Sequence, residues 1–489
     1  MHVSTRPLSS ASTLSLGVDR KDSEPLQSQI ARQIRELVLG GRLKPRTRLP
    51  STRALAEELQ VARATVVEAF EQLVGEGYLE TRKGSGTVIA AELPDHLLLS
   101  GRKAAHALAA SRRPATREPA RPFRSGLVDW EHFPHDEWGR ILGRFWRNPP
   151  VTLLEHTDPF GWLPLRQAIA QHLFEWRGIT CDAAQIIITS GGPDAFDLIR
   201  RAAFRPGDRF WHEDPGYPTA ERVFTQGGMV AVHVPVDGDG LIIAEAMRLS
   251  PDARCAFVTP ARQYPTGVTM PLSRRLELLQ WARRTQALVI EDDYDSEYRY
   301  VGRPLPALMS LDHGNRVVYS GTFSKVFSPI IRLGFLVVPV PLAERLRAER
   351  RSYGAPPSLL VQPALAQFME QGHFALHIRR MRRIYAARRE CLIRALQHRA
   401  GGRFTVDAPP SGLSVLLRFT GAADDQFMAR KLAGEGIECQ SLSGYCHATP
   451  AQRGLLLGFA GFAEKDLEAG AEKLARLLAS YLPSGSKRP

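Results

Sequence analysis

Residues 319–325 read Tyr319-Ser320-Gly321-Thr322-Phe323-Ser324-Lys325, and residues 289–297 read Val289-Ile290-Glu291-Asp292-Asp293-Tyr294-Asp295-Ser296-Glu297. Each opens on a short apolar run and ends in side chains that can do chemistry. They belong to a series of such runs, Ile186–Thr189, Ala256–Thr259, Leu288–Ile290, Val317–Tyr319 and Phe335–Val338, separated by amphipathic helical segments. That alternation predicts an α/β domain built on a mainly parallel sheet. In such sheets ligands bind beyond the carboxyl ends of the strands. An acidic run on its own reads as a solvated loop, but directly after a buried strand it sets a carboxylate in the ligand crevice, where it can hold a cationic ring nitrogen. Lys325, flanked by hydroxyl residues, can form a Schiff base while the hydroxyls and loop amides cradle a phosphate. Arg332 can add a two-pronged phosphate contact. A third strand exit, Glu213-Asp214-Pro215-Gly216-Tyr217-Pro218, offers an aromatic face.

The rest of the chain sets bounds on this reading. Its 489 residues exceed one core, at about 150 residues per domain. A hydrophobic share of 44% with 24% charged residues excludes wholesale disorder. No apolar run reaches the roughly 18 residues of a membrane span. The opening residues, with Arg6 and Pro7 among serines, lack the apolar core of a signal peptide. Cys181, Cys255, Cys391, Cys439 and Cys446 are scattered without metal-ligand spacing, which fits reduced thiols and argues against a disulfide scaffold or a zinc site. The expectation is a cytoplasmic protein with no membrane partner and no metal. The net charge is +13, and residues 1–125 hold 20 basic against 13 acidic side chains, more than half of that excess. A basic end on a nearly balanced body suits a nucleic-acid-binding appendage.

That end has a compact helical pattern. Leu26, Ile30, Ile34 and Leu37 fall on one helix face, closed by Gly40-Gly41. Pro50-Ser51 opens a second helix, which Ser51 can cap, with Leu55, Ala56 and Leu59 facing inward. After Gln60-Val61-Ala62 a third helix buries Val66, Ala69, Phe70 and Leu73. Tyr78–Arg82 and Thr87–Ala90 then flank the turn Lys83-Gly84-Ser85-Gly86, a β-hairpin. Together these predict a winged helix-turn-helix over 20–90. The Ala-, Arg-, Ser- and Pro-rich stretch that follows reads as a linker over 91–123, leaving 124–489 as the large domain.

From about Pro25 to Val88 the sequence resembles the GntR-type DNA-binding domain. Arg48-Leu49-Pro50-Ser51-Thr52-Arg53, Leu55-Ala56, Ala62-Arg63-Ala64-Thr65-Val66, Gly77-Tyr78-Leu79 and the glycine wing carry the likeness. It implies a double-stranded DNA partner, with Ser51, Arg53, Arg63 and Thr65 at the major groove and its phosphates and Lys83 and Gly84 on the wing. The family usually has Ser or Thr where this chain has Ala62, so a helix cap is forgone there.

From about 124 to 480 the three strand exits, in their order and spacing, resemble the fold-type I aminotransferases. That likeness implies an α/β large domain with a smaller C-terminal α+β subdomain. Joined to a GntR-type reader, the run Glu291–Glu297 is similar to the MocR family of transcription regulators. The resemblance implies pyridoxal 5′-phosphate as cofactor. Lys325 matches the lysine bonded to it, Asp292 the carboxylate against its pyridine nitrogen, and Tyr294 the phenol near its ring hydroxyl. Tyr264 stands where many aminotransferases carry Asn, Tyr217 matches the stacking aromatic, and Thr322, Ser324, Arg332, Gly191 and Gly192 match phosphate ligands.

Two departures shape the expectation. In Ser190-Gly191-Gly192-Pro193-Asp194, Pro193 lacks an N–H and Asp194 brings negative charge to a phosphate-binding helix end, which points to modest phosphate affinity. In Leu455-Leu456-Leu457-Gly458-Phe459-Ala460, Leu456 stands where aminotransferases place the Arg that clamps the substrate carboxylate. The sequence therefore reads as a homodimeric transcription regulator, without catalytic residues of its own, that responds to the cofactor or to an amine reacting with it. The alternative is an active aminotransferase with an attached DNA reader.

Overall fold

The computed structural model describes residues 14, 16–20, 22–82, 86–91, 121–155, 158–302, 306–353, 357–421, 423–447 and 452–482. The chain divides into two compact units, Met1–Pro119 and Ala120–Pro489.

In the first unit, α1 (Leu26–Leu39) buries Ile30, Ile34 and Val38 on one face. The next helix, α2 (Thr52–Leu59), starts at Ser51, whose hydroxyl accepts from the Ala54 N–H at 3.1 Å. A left-handed Gln60 ends it and turns the chain into α3 (Arg63–Gly75), which buries Val66, Ala69, Phe70 and Leu73. Ala62, at the start of α3, provides no side-chain cap. The hairpin of β1 (Leu79–Arg82) and β2 (Gly86–Ile89) pairs Leu79 with Ile89 and Arg82 with Gly86. Arg48 bridges to Val88, tying the wing to the segment before α2. One apolar cluster joins all these elements, and the Arg35 guanidinium grips Glu76 beyond α3 at 2.6 Å.

The second unit is organised by an eight-stranded sheet of order β3-β10-β9-β8-β7-β4-β5-β6. Its strands are β3 (Ile186–Thr189), β4 (Arg209–Asp214), β5 (Val230–Asp237), β6 (Gly240–Leu241), β7 (Cys255–Val258), β8 (Leu288–Asp293), β9 (Val317–Thr322) and β10 (Gly334–Val337). Strands β9, β8, β7, β4 and β5 run parallel, whereas β10 is antiparallel to both β3 and β9. Successive residues of a strand face opposite sides of a sheet. Phe210, Phe257 and Ile290 accordingly pack with Phe196 and Phe224 on one face, while Trp211, Val258 and Val289 pack with Leu278 and Trp281 on the other. The Trp211 and Trp281 rings stack 3.8 Å apart. Burial on both faces explains why these strands read as unbroken apolar runs.

Two of those runs are longer than their apolar residues suggest. Strand β8 continues through Glu291-Asp292-Asp293, and β9 through Ser320-Gly321-Thr322, so the acidic and hydroxyl stretches are strand rather than loop. A smaller antiparallel sheet follows, of order β11-β12-β14-β13, from β11 (Phe404–Asp407), β12 (Ser414–Phe419), β13 (Gln440–Ser441) and β14 (Gly454–Gly458). The helices His373–Gln397 and Glu464–Tyr481 pack with it in one core. Among the described residues, no helix is long and apolar enough to cross a membrane.

Candidate functional site

Strand alternation sorts the acidic run of β8. Glu291 and Asp293 face one side, where Glu291 accepts from the Leu308 and Met309 N–H groups at 2.9 and 3.0 Å. Asp293 there accepts from the Tyr319 hydroxyl at 2.8 Å and pairs with the Arg177 guanidinium at 2.8 Å. Asp292 faces the other side and lines a cavity of about 450 Å³ at the carboxyl edge of the sheet. Burial pushes its carboxyl up to about 7; the Ser320 hydroxyl opposes this, and the neighbouring Asp293, Glu213 and Asp295 add to it. A half-buried carboxyl in this state is poised for a cationic partner.

Lys325 lines the same cavity from the short helix Phe323–Val326, directly after β9. Its ammonium donates to the Gly126 carbonyl at 3.2 Å. Burial lowers its pKa, against the pull of Asp295, which favours the neutral nucleophilic amine. Gly126 has φ +84°, a left-handed conformation that favours glycine.

The other residues expected from sequence gather around the same cavity: Gly191, Gly192, Tyr217, Tyr264, Tyr294, Thr322, Ser324 and Arg332. Gly191 has φ +105° and leads into the helix Gly192–Ala203, whose N-terminus points its free amide dipoles at this corner. Thr322 caps the Lys325 helix, accepting from the Ser324 N–H at 3.1 Å. Arg332 is exposed, in a left-handed conformation with φ +51°. The Tyr264 ring meets those of Tyr217 and Tyr294 edge-on, at 5.6 and 5.8 Å. A half-buried carboxyl short of a cation, a half-buried amine, and a glycine-and-hydroxyl corner with a guanidinium form a donor set that fits pyridoxal 5′-phosphate.

One expectation is corrected. Asp194 does not carry free negative charge to the phosphate corner. The Arg350 guanidinium pairs with both of its oxygens, at 2.9 and 3.0 Å, and the Ser190 N–H donates to it at 2.8 Å. The charge is neutralised by a buried arginine more than 150 positions away, which no local reading of Gly191–Asp194 could reveal.

Leu456, buried on β14, is part of the cavity wall. Arg262 also lines the cavity, but it is spoken for. It reaches the Tyr294 hydroxyl at 3.0 Å, Asp295 at 3.3 Å, and both the carbonyl and the hydroxyl of Ser414 at 3.0 Å. Sequence reasoning assigns no role to Arg262, Asp295, Ser320 or Gly126; only their convergence on one cavity from separate segments shows them.

In the first unit, Ser51 spends its hydroxyl on the helix cap. Arg53 is exposed, with Glu57 at 3.3 Å, and the exposed Arg63 reaches the Thr52 hydroxyl at 3.5 Å, while Thr65 is half-buried. Arg53 lies at the start of α2 and Arg63 at the start of α3, where the Arg63 side chain reaches Thr52 beside Arg53. Lys83 and Gly84 lie outside the described residues.

Comparison with known proteins agrees with both halves. Residues 26–89 match the model for bacterial regulatory proteins of the gntR family, and residues 150–474 match that for aminotransferase class I and II. The chain is 38% identical to the probable rhizopine catabolism regulatory protein MocR of Rhizobium meliloti, over 96% of this chain and 97% of that protein. It is 35% identical to the HTH-type pyridoxine biosynthesis transcriptional regulator PdxR of Corynebacterium glutamicum, over 93% and 96%. An archaeal alanine:glyoxylate aminotransferase superposes with a TM-score of 0.69 at 24% identity, covering 78% of this chain and 94% of that one, a likeness of fold. With a gntR-family reader joined to a class I and II aminotransferase domain along nearly its whole length, the chain belongs to the MocR family of regulators.

Proposed function

We propose that this protein is a cytoplasmic, homodimeric transcription regulator. Its aminotransferase-like domain binds pyridoxal 5′-phosphate and responds to the cofactor or to an amine that reacts with it. The observation that carries this reading is the meeting of Asp292 and Lys325 in one cavity, the carboxyl raised and the amine lowered by burial. When bound, the cofactor supplies an electrophilic carbon and a cationic ring that draws electrons. Asp292 holds the ring nitrogen in its protonated form, and Lys325 offers the amine that captures the cofactor. Tyr217 covers a ring face, and Tyr294 and Tyr264 hold its hydroxyl edge. Gly191, Gly192, Thr322, Ser324 and Arg332 hold the phosphate.

Turnover requires more than capture. A substrate carboxylate must be fixed so that its α-carbon stands over the ring, and Leu456 gives that carboxylate only an apolar wall. Arg262 is engaged by Tyr294, Asp295 and Ser414. These two residues favour a sensor over an enzyme. Ser51, Arg53, Arg63 and Thr65, with Lys83 and Gly84 on the wing, hold and read DNA, and two copies in a dimer read two half-sites. The test is a pair of measurements on the full chain: borohydride reduction with the cofactor followed by peptide mapping, and operator binding with and without cofactor. An adduct on Lys325 and cofactor-dependent operator affinity are expected. An adduct on another lysine would remove the pocket assignment.

A further inference from the structure

The segment Tyr445-Cys446-His447 belongs to the connection between β13 and β14, yet it fastens to the turn after β4 that carries Tyr217. The Tyr445 carbonyl accepts from the Gly216 N–H at 3.2 Å, and the Tyr264 hydroxyl donates to the Tyr445 hydroxyl at 3.0 Å. The His447 N–H donates to Asp214 at 2.8 Å. The His447 Nε2 lies 3.0 Å from one oxygen of Glu221, whose other oxygen lies 2.9 Å from the His233 Nε2. The two imidazoles stack face to face, 3.9 Å apart and 6° from parallel. Tyr217 is thus bracketed, by Asp214 and Gly216 before it and by Glu221 after it. The turn has little slack, since a Cβ at Gly216 would fall 2.0 Å from the Glu213 carbonyl and 2.5 Å from the His212 ring.

The cluster holds protons better than a metal. Ligand atoms of His212, Glu221 and His233 lie within 4.8 Å of one another. In a tetrahedral site with bonds near 2.1 Å they would stand about 3.4 Å apart and converge on one point. The His212 Nε2 instead lies 3.1 Å from the Tyr217 carbonyl, and the His212 and His233 rings stand at 90° with centroids 6.1 Å apart. The Nε2 atoms of His233 and His447 both face the one Glu221 carboxylate. Protonation of both rings would set two cations face to face over a single anion and loosen the fastening. The other groups facing the clasp are Asp214 and His212 on β4; burial pushes His212 down to about 4. Burial opposes ionisation of Glu221, but the His233 hydrogen bond and the neighbouring imidazoles outweigh it and lower its pKa.

We propose that Tyr445 and His447 are positioning residues for the cofactor pocket, setting Tyr264 and the turn of Tyr217 against the ring, with the Glu221 clasp making that setting sensitive to protons. This rests on the cavity being the pyridoxal 5′-phosphate site. The test is titration of the cofactor-free full chain with pyridoxal 5′-phosphate at pH 7.5 and 5.5. It compares the wild type with Tyr445→Phe, His447→Gln and His233→Gln. Because the His447 side chain is 44% exposed, its replacement spares the core. Tyr445→Phe should weaken binding by about fivefold at both pH values, the worth of roughly one hydrogen bond. Both histidine variants should bind more weakly at pH 7.5, and their further loss at pH 5.5 should be at least about threefold smaller than that of the wild type. Variants that match the wild type at both pH values would overturn the inference alone. A wild type that takes up no cofactor would remove the pocket reading and this inference with it.

Discussion

The Asp194 carboxylate and the Arg350 guanidinium form a two-pronged pair at 2.9 and 3.0 Å, with the Arg350 side chain 4% exposed. The pair anchors the start of the helix Gly192–Ala203 and cancels a negative charge beside the corner assigned to phosphate. Removing one partner of a buried pair leaves the other uncompensated. Arg350→Met should therefore destabilise the large unit by about 3 kcal/mol and weaken uptake of the cofactor. Adding Asp194→Asn should restore much of both losses. Chemical denaturation and cofactor titration of the three variants check this; equal losses in the single and double variants would contradict it.

Asp292 gives a pH signature in the cofactor-free protein. Its folded-state pKa of about 7 lies above the ordinary carboxyl value, so between about pH 4 and 7 the folded chain holds a proton that the unfolded chain has released. Stability then falls as pH rises through this window. Glu213, raised to about 7, and Asp295, raised to about 6, act in the same direction through their burial. Asp292→Asn should remove its share of the slope, seen as a smaller drop in melting temperature between pH 5 and 7.5. An unchanged slope would mean that Asp292 is already ionised. The same variant should weaken cofactor binding, and Lys325→Ala should abolish borohydride trapping while leaving some non-covalent binding.

Arg53→Ala and Arg63→Ala should each weaken operator binding about tenfold or more, the range of a lost base contact, and leave the cofactor absorbance unchanged. Wild-type affinity should fall steeply with salt, because each neutralised phosphate releases counterions. Gel-shift titrations at two salt concentrations read both effects. Normal operator affinity in both variants would mean that the reading face lies elsewhere.

Leu456 bears on turnover. With alanine, glutamate or aspartate the cofactor-loaded protein should convert negligibly to the pyridoxamine form. Leu456→Arg places a guanidinium at the cavity wall and should raise that conversion, since misplacing a reacting group by about 1 Å costs on the order of 10²-fold. Conversion by the wild type at an ordinary aminotransferase rate would promote the enzyme reading.

Much of this protein was legible along the chain, because its signals are local. Ser51 caps α2, Val66, Ala69, Phe70 and Leu73 share one face of α3, and Ile186–Thr189 is a strand buried on both sides. Periodicity, capping and strand burial act over a few residues, so the sequence alone determined a winged reader, an α/β body, and a lysine and a carboxylate at strand exits. Tertiary structure decided what depends on distant partners. Alternation across β8 sends Asp292 to the cavity and Asp293 to Arg177. Arg350 silences Asp194, Asp295 and Ser414 occupy Arg262, and Tyr445 and His447 fasten the turn of Tyr217. Each of these is an electrostatic or hydrogen-bonding balance between residues far apart in sequence, and such a balance exists only once packing has brought the groups together and excluded the water that would otherwise screen them.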